Sequence, residues 1–232
     1  MKGAAELQDI RARYERRVSI PSDRYSRFNP EVTARVHERQ RAMLELLRHE
    51  HVMSLGSMDV LEVGCGGGAN LLELLELGAD PERLVGNELL EDRLTVARRV
   101  LPAEVTLHAG DACELALGDG TFDIVYQSTV FSSILNDAMQ ERLAARMWQW
   151  LRPGGGILWY DFTYDNPANC DVRGVSLGRV RELFSRGEIQ SRRVTLAPPI
   201  ARRVSAIHPS LYSLVNMLPL LRTHVLCWIR KL

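Results

Sequence analysis

Lysine is almost absent from this chain of 232 residues. Its two lysines, Lys2 and Lys231, stand next to the two ends of the sequence. Three kinds of site need a lysine within the domain: a phosphate-binding P-loop, a Schiff-base centre and the Tyr-x-x-x-Lys pair of short-chain dehydrogenases. The sequence therefore argues against all three.

Paired cysteines and long apolar runs are also missing. The four cysteines are widely scattered and form no C-x-x-C pair, so we expect neither a zinc site nor a disulfide framework. A reduced, cytoplasmic protein is the simplest expectation. No run of 18 apolar residues occurs, which predicts no transmembrane segment. Residues 1–17 are charged and lack the apolar region of a secretory signal.

Acidic residues are scarce in the C-terminal part, although the whole chain has no net charge. Residues 171–232 hold 11 Lys and Arg against 3 Asp and Glu, a difference of +8. Residues 51–170 hold 7 against 18, a difference of −11. The basic part is predicted to face an anionic substrate or a membrane surface, or to pair with the acids of the central segment. Nucleic acid is not expected, because aromatic residues do not interleave with the arginines.

Apolar segments alternate between the patterns of strands and helices. The predicted strands are residues 60–63, 84–87, 105–108, 122–127, 156–162, 189–196 and 223–229. The predicted helices are 5–19, 30–50, 70–77, 91–100, 137–151, 176–185 and 209–218, with the regular pattern ending at Ala197-Pro198-Pro199. This alternation predicts a doubly wound, mostly parallel α/β sheet with helices on both faces. Residues 1–54 are predicted as an N-terminal helical cap and residues 55–232 as the main domain.

A glycine-rich turn, Gly64 to Gly68, follows the first predicted strand and precedes a helix. Glycines let the backbone approach a ligand closely, and the free N–H groups of the helix's first turn donate to it. The turn therefore predicts a nucleotide pocket. It also fits the G-x-G-x-x-A fingerprint of dinucleotide-binding proteins, which keeps an NAD(P)-dependent dehydrogenase open as an alternative.

Polar side chains follow the other strands at the same edge of the predicted sheet. Glu88 is placed to accept both hydroxyls of a ribose, and Asp111 to accept from an exocyclic amine such as adenine N6. Glu62 precedes the glycine turn, and Gln127 ends the fourth strand. The three acids also have structural explanations: Glu62 as a brace for the turn, Glu88 as a solvated charge and Asp111 as an Asx-turn.

Five segments in register resemble the class I S-adenosylmethionine-dependent methyltransferases, over about residues 55–165. They are Val60–Gly68, Gly86–Glu88, Gly110–Ala112, Phe122–Val125 and Leu151–Gly155. The resemblance implies a seven-stranded sheet whose last strand is antiparallel and inserted beside the fifth. It also implies S-adenosylmethionine as the methyl donor. The cofactor-binding residues expected from it are Glu62, Gly64, Cys65, Gly66, Gly68, Glu88, Leu89, Asp111, Ala112 and Gln127.

The methyl acceptor is expected to bind among segments outside this match: residues 14–37, 128–136 and 160–212. Asp161 and His208 are candidate general bases, each with an ordinary structural explanation as a strand-end acid or a helix-entry turn. Tyr25 and Phe131 are candidate substrate-binding residues. No Cys or metal cluster is present, so metal-assisted chemistry is not expected.

The Asp-Pro-Pro-Tyr signature of amide-nitrogen and DNA methylation is absent after the fourth strand, where Gln127-Ser128-Thr129-Val130 stands. We therefore hypothesise O-methylation of a small molecule, such as a sugar, a glycan or a natural-product intermediate. An anionic acceptor or a peripheral membrane contact would suit the basic C-terminal part. A non-catalytic S-adenosylmethionine-binding module is the second hypothesis, and the oligomeric state stays open.

Overall fold

A seven-stranded sheet flanked by helices forms the fold. The computed structural model describes residues 2–17, 24, 26–166 and 169–232. The strands are β1 Val60–Val63, β2 Leu84–Glu88, β3 Thr106–Ala109, β4 Phe122–Ser128, β5 Leu151–Phe162, β6 Gly187–Leu196 and β7 Arg222–Lys231. The α-helices are α1 Lys2–Arg17, α2 Pro30–His49, α3 Ala69–Glu76, α4 Glu91–Val100, α5 Asp137–Trp150, α6 Leu177–Leu183, α7 Pro198–Ile207 and α8 Ser210–Asn216.

The strands lie in the order β3-β2-β1-β4-β5-β7-β6. Strands β1 to β5 pair in parallel, and β7 runs antiparallel between β5 and β6. The predicted fold class, with its inserted antiparallel last strand, is confirmed. Because the chain order reverses between β1 and β4, the loops after these strands diverge and leave a crevice at that edge.

Each face of the sheet has its own core, because successive residues of a strand point to opposite faces. On β1, Leu61 packs in the cluster that includes α1 and α5, whereas Val60 packs in the cluster that includes α2 and α3. All four residues of β1 are buried, as expected for a central parallel strand. The two N-terminal helices therefore cover opposite faces of the sheet.

Two sequence predictions are wrong at glycine and proline positions. Pro198 and Pro199 begin α7 instead of ending the regular structure, because proline fits the first turn of a helix, where no N–H partner is needed. Residues 152–155, which the sequence predicts as a connection between a helix and a strand, lie within β5, which is irregular there. Gly154 has φ +83°, and the pairing of β5 with β4 shifts register between Phe122 and Ile124.

Candidate active site

A cavity of about 1200 Å³ opens at the carboxyl ends of β1 to β4. Its walls are the glycine turn, the first residues after β2 and β3, the loop after β4, and one side of α1. The predicted site residues that line it are Gly64, Cys65, Gly66, Glu88, Leu89, Asp111 and Ala112. The structure thus brings these side chains and backbone groups to a single crevice, at the edge where open α/β sheets bind ligands.

The glycine turn has a backbone that other residues would not adopt. Gly64, Gly66 and Gly68 have φ angles of +68°, +56° and +86°. A Cβ on Gly64 would lie 2.5 Å from Cγ2 of Val130, and one on Gly68 would lie 2.9 Å from Cδ1 of Leu101. Gly64 and Gly66 face the cavity, whereas Gly68 allows α3 to pack closely against the end of α4.

Glu88 ends β2 and connects the glycine turn to the start of α4. Its Oε2 accepts the N–H of Gly66 at 2.8 Å, and its Oε1 accepts the N–H of Leu90 at 3.0 Å. The carboxylate is buried but belongs to the cavity wall. Each carboxylate oxygen has a second lone pair, so Glu88 can accept from a ligand while it holds both backbone segments.

Asp111 follows β3 on the same crevice. Its Oδ1 accepts the N–H of Cys113 at 2.9 Å, and its Oδ2 accepts from Arg142 at 2.8 Å. The Asx-turn that the sequence left open is therefore present, and Asp111 also lines the cavity. Asn87, which the sequence did not single out, donates to the carbonyl of Gly110 at 3.0 Å and so ties the end of β2 to this loop.

Glu62 lies behind the glycine turn and is fully buried. Asn70, which lines the cavity, donates to its Oε1 at 2.6 Å. Its Oε2 has no partner among the described residues, and burial raises the pKa of this carboxyl to about 8. A buried carboxylate oxygen without a partner is costly, so this site is suited to a ligand that brings a positive charge.

Several predicted site residues lie outside the cavity walls. Gln127 is fully buried: its Oε1 accepts the N–H of Val130 at 3.1 Å, and its Nε2 donates to the carbonyl of Tyr160. Phe131 is also fully buried and packs on Trp159, with the ring centroids 4.5 Å apart. Both buried side chains lie beneath the loop after β4 and support it. Tyr25 lies outside the described residues.

The two candidate bases occupy different places. Asp161 is enclosed, and burial raises the pKa of its carboxyl to about 7. Its oxygens accept the N–H groups of Ser132 at 3.1 Å and Phe162 at 2.9 Å. His208 is exposed at the end of α7, where its Nδ1 accepts the N–H of Ser210 at 3.2 Å. Neither residue lines this first cavity or the second cavity that adjoins it.

A second cavity of about 980 Å³ adjoins the first. Tyr14, Ser128, Thr129 and Ser133 line both cavities and form their junction. Much of the remaining wall comes from α2, the end of β5, the start of α7 and β7, together with residues 164–166 and 169–172. Much of this wall belongs to the segments from which the sequence predicted an acceptor pocket.

The sequence did not predict the contribution of His224, which lines the second cavity. His224 stacks on Tyr160 with ring centroids 5.0 Å apart, and its neighbour across the strands is Phe162. Burial, with the positive charges of Arg35 and Arg39, lowers the pKa of His224 to about 3. Its imidazole is therefore neutral at ordinary pH. No local sequence signal marks this residue, because its place depends on the register between β5 and β7.

The second cavity has an excess of positive side chains. Five arginines and three carboxylates line it. Arg39 pairs with Glu73 at 2.5 Å, and Arg16 pairs with Asp171. Arg35 lies one turn before Arg39 on α2 and has no carboxylate partner among the described residues. Arg24 and Arg202 of this wall also have no carboxylate partner among the described residues, so Arg35 is one of three arginines whose charge is available to an anion from the cavity.

Comparisons with known proteins agree with this geometry. Residues 60–155 match the family model of a methyltransferase domain. An uncharacterised 37.1 kDa protein in transposon TN4556 of Streptomyces fradiae is 31% identical over 115 residues, which cover 46% of this chain and 32% of that protein. The chain thus spans about a third of the length of this curated relative.

Solved structures of methyltransferases share the fold. One is an S-adenosylmethionine-dependent methyltransferase from Mesorhizobium loti, with 20% identity and a TM-score of 0.60, over 83% of this chain and 96% of that one. Another is phosphoethanolamine N-methyltransferase 1 of Haemonchus contortus, with 13% identity and a TM-score of 0.67, over 100% of this chain and 50% of that one.

The fold and the matched segment point to the same class of domain. Residues 60–155 match a methyltransferase domain, the chain has the fold of class I S-adenosylmethionine-dependent methyltransferases, and both findings support the predicted cofactor, S-adenosylmethionine. The first cavity fits this cofactor on two observations. The cradle at Gly64 has no room for a Cβ, and the buried Oε2 of Glu62 has no partner among the described residues.

Proposed function

We propose that the protein methylates a hydroxyl group of a small molecule that carries an anionic group, such as a sugar derivative or a natural-product intermediate. The observation that carries this proposal is the second cavity, which adjoins the first and whose wall includes an arginine without a carboxylate partner. S-adenosylmethionine supplies an activated methyl group when it is bound. The protein's part is then chiefly to position the acceptor.

The first cavity is proposed to hold the cofactor through backbone and acidic groups. Glu88 would accept from the ribose hydroxyls and Asp111 from the adenine amine, while Gly64 and Gly66 leave room for the methionine portion beside them. Glu62 would balance the positive charge of the ammonium group. These roles follow from the family resemblance. In the structure each of the three carboxylates already accepts a hydrogen bond from nearby backbone or from a neighbouring side chain.

The acceptor is proposed to reach the methyl group at the junction of the two cavities, beside Tyr14, Ser128, Thr129 and Ser133. A base with a pKa near 3 is a poor proton acceptor at neutral pH, so His224 is better suited to hold an acceptor than to deprotonate it. Asp161 holds Ser132, whose loop forms this junction. We propose it as a positioning residue, and its role as a direct base stays a prediction.

Methyl transfer from labelled S-adenosylmethionine to a panel of small molecules tests this function. The panel contains hydroxylated sugar phosphates and carboxylates, their neutral counterparts, and phosphoethanolamine, which offers an amine in place of a hydroxyl. We expect label on the anionic hydroxylated compounds. Transfer only to amines would contradict O-methylation, and transfer only to neutral compounds would contradict the anionic acceptor. Transfer confined to protein or nucleic acid would contradict the small-molecule proposal.

Arg35→Gln tests the proposed contact with the acceptor anion. A charge-assisted hydrogen bond contributes about 1.5–3 kcal/mol, so we expect KM for an anionic acceptor to rise roughly 10- to 100-fold. The affinity for S-adenosylhomocysteine should not change, because Arg35 lines only the second cavity. Steady-state kinetics and calorimetry measure the two effects separately.

Arg48→Gln is the matched control, since Arg48 lies exposed on the same helix and lines neither cavity. It should leave both quantities unchanged, and Arg35→Lys should restore part of the affinity for the acceptor. An equal loss of acceptor and cofactor affinity in Arg35→Gln would mean that this arginine supports the fold and not the acceptor.

A further inference from the structure

Large apolar side chains are concentrated on the surface around α7 and α8. We define the α7–α8 patch as Ile207, Leu214, Met217, Leu218 and Leu220, together with Arg202 and Arg203. The five apolar members are 57–87% exposed, and they are five of the eleven large hydrophobic residues that are exposed in the described part of the chain. Scattered exposed hydrophobics are ordinary, whereas a concentration of them in 14 residues of sequence points to an interaction surface.

Helix α8 is held in place by buried contacts and still exposes apolar side chains. Tyr212 is buried and donates to Oε2 of Glu38 on α2 at 2.7 Å. Asn216, also buried, accepts from Nε of Arg222 at 2.8 Å through its carbonyl. Leu214 and Met217 remain exposed. Tyr212 and Val215 pack against the core, so Leu214 and Met217 are apolar side chains in excess of those that the helix buries.

The segment that carries the patch has charged side chains of a single sign. No Asp or Glu occurs from residue 189 to residue 232, a segment that holds seven arginines and lysines. Arg202 and Arg203 are exposed and have no carboxylate partner among the described residues. A two-fold dimer through this patch would bring these arginines near their own copies, with no carboxylate from the same segment to compensate. A large anionic, partly apolar surface complements the patch better.

We propose that the α7–α8 patch docks the protein on an anionic lipid bilayer. Exposed leucine, isoleucine and methionine would enter the boundary between headgroups and acyl chains, and the arginines would face the anionic headgroups. In the described part of the chain no helix combines the length and apolar character needed to cross a bilayer, so the contact is peripheral. Because Pro198, Ala201 and Arg202 also line the second cavity, docking would bring that cavity close to the lipid surface.

Sedimentation with lipid vesicles tests this docking on the full chain. The probes are vesicles of phosphatidylcholine alone and of phosphatidylcholine mixed equally with phosphatidylglycerol. We expect binding to the mixed vesicles only, weakened when salt rises from about 0.05 to about 0.5 M because the Debye length shortens. Leu214→Glu combined with Met217→Glu should lower the partition coefficient at least about tenfold. Arg203→Gln should lower it roughly fivefold.

Two control variants make the same kinds of substitution elsewhere on the surface. Met53→Glu adds a charge at another exposed methionine, and Arg186→Gln removes a charge at an exposed arginine outside the patch. Both should bind the mixed vesicles as the unaltered protein does. If a control variant lost as much vesicle binding as a patch variant, the binding would depend only on the net charge of the protein. That result would overturn the proposal.

Three further results would overturn it. They are binding to neither kind of vesicle, equal binding to both kinds, and binding that survives the Leu214→Glu and Met217→Glu changes. An unaltered protein that forms dimers in analytical ultracentrifugation, and that Leu214→Glu converts to monomers, would assign the patch to a second copy instead. None of these measurements depends on methyl transfer, so the docking and the proposed reaction can fail separately.

Discussion

Glu88→Gln is expected to lower the affinity for S-adenosylhomocysteine about 100-fold or more. An amide keeps one acceptor oxygen but points an NH₂ group at the N–H of Gly66 or Leu90, each of which now donates to the carboxylate. The variant also loses the charge that would accept from the ribose hydroxyls, at about 1.5–3 kcal/mol for each hydrogen bond. Isothermal titration calorimetry measures the change.

Glu91→Gln is the matched control, because Glu91 lies three residues further on, lines the same cavity and is exposed. We expect it to change the affinity little. Thermal unfolding of both variants separates lost binding from a damaged fold. Unchanged affinity in a folded Glu88→Gln protein would remove Glu88 from the cofactor site.

Glu62 is expected to make cofactor binding depend on pH. Burial raises the pKa of its carboxyl from 4.5 to about 8 in the free protein, so the group is mostly protonated at neutral pH. The ammonium group of the cofactor is balanced only by the ionised carboxylate. Affinity should therefore rise as the pH rises from about 6 to about 8, by up to roughly tenfold per pH unit.

The raised pKa of Glu62 also affects the free energy of unfolding, which should fall as the pH rises, whereas cofactor affinity should increase. A carboxyl whose pKa is raised by folding contributes stability that is complete below its unfolded pKa and is lost as the pH rises through its folded pKa. For Glu62 this loss extends from about pH 4.5 to about pH 8. Glu62→Gln should flatten the dependence of unfolding free energy on pH within that window, as urea titrations at several pH values would measure.

Calorimetry of S-adenosylhomocysteine binding in two buffers of different ionisation enthalpy measures the proton exchange directly. Near pH 7 we expect the unaltered protein to release close to one proton to the buffer on binding. Glu62→Gln should release none and bind more weakly at every pH. Affinity that is independent of pH in the unaltered protein would mean that Glu62 is already ionised or does not act on the ligand.

The cofactor crevice was predictable because its signals are local. A glycine turn between a strand and a helix, and an acid at the end of the next strand, are short patterns. Parallel connection then brings the strand ends to one edge. Gly64, Glu88 and Asp111 could therefore be placed around a single cavity before their contacts were known.

The acceptor side was harder to predict because it depends on which face of β5 a residue occupies. Tyr160 and Phe162 line the second cavity, whereas Asp161, between them, points to the opposite face and holds Ser132. A period of two fixes the alternation but not which set of residues faces the ligand. Arg35 and His224 meet there only through the packing of α2 and β7 on the sheet, for which the sequence carried no short signal.

The central claim is that the crevice at the ends of β1, β2 and β3 holds the cofactor, with its sulfur directed towards the junction of the two cavities. A crystal structure with S-adenosylhomocysteine tests it most directly. We predict Glu88 within hydrogen-bonding distance of the ribose hydroxyls, the adenine beside Asp111, and the sulfur facing Ser128 and Thr129. An adenosine bound away from Glu88, or a sulfur turned away from the second cavity, would contradict the account.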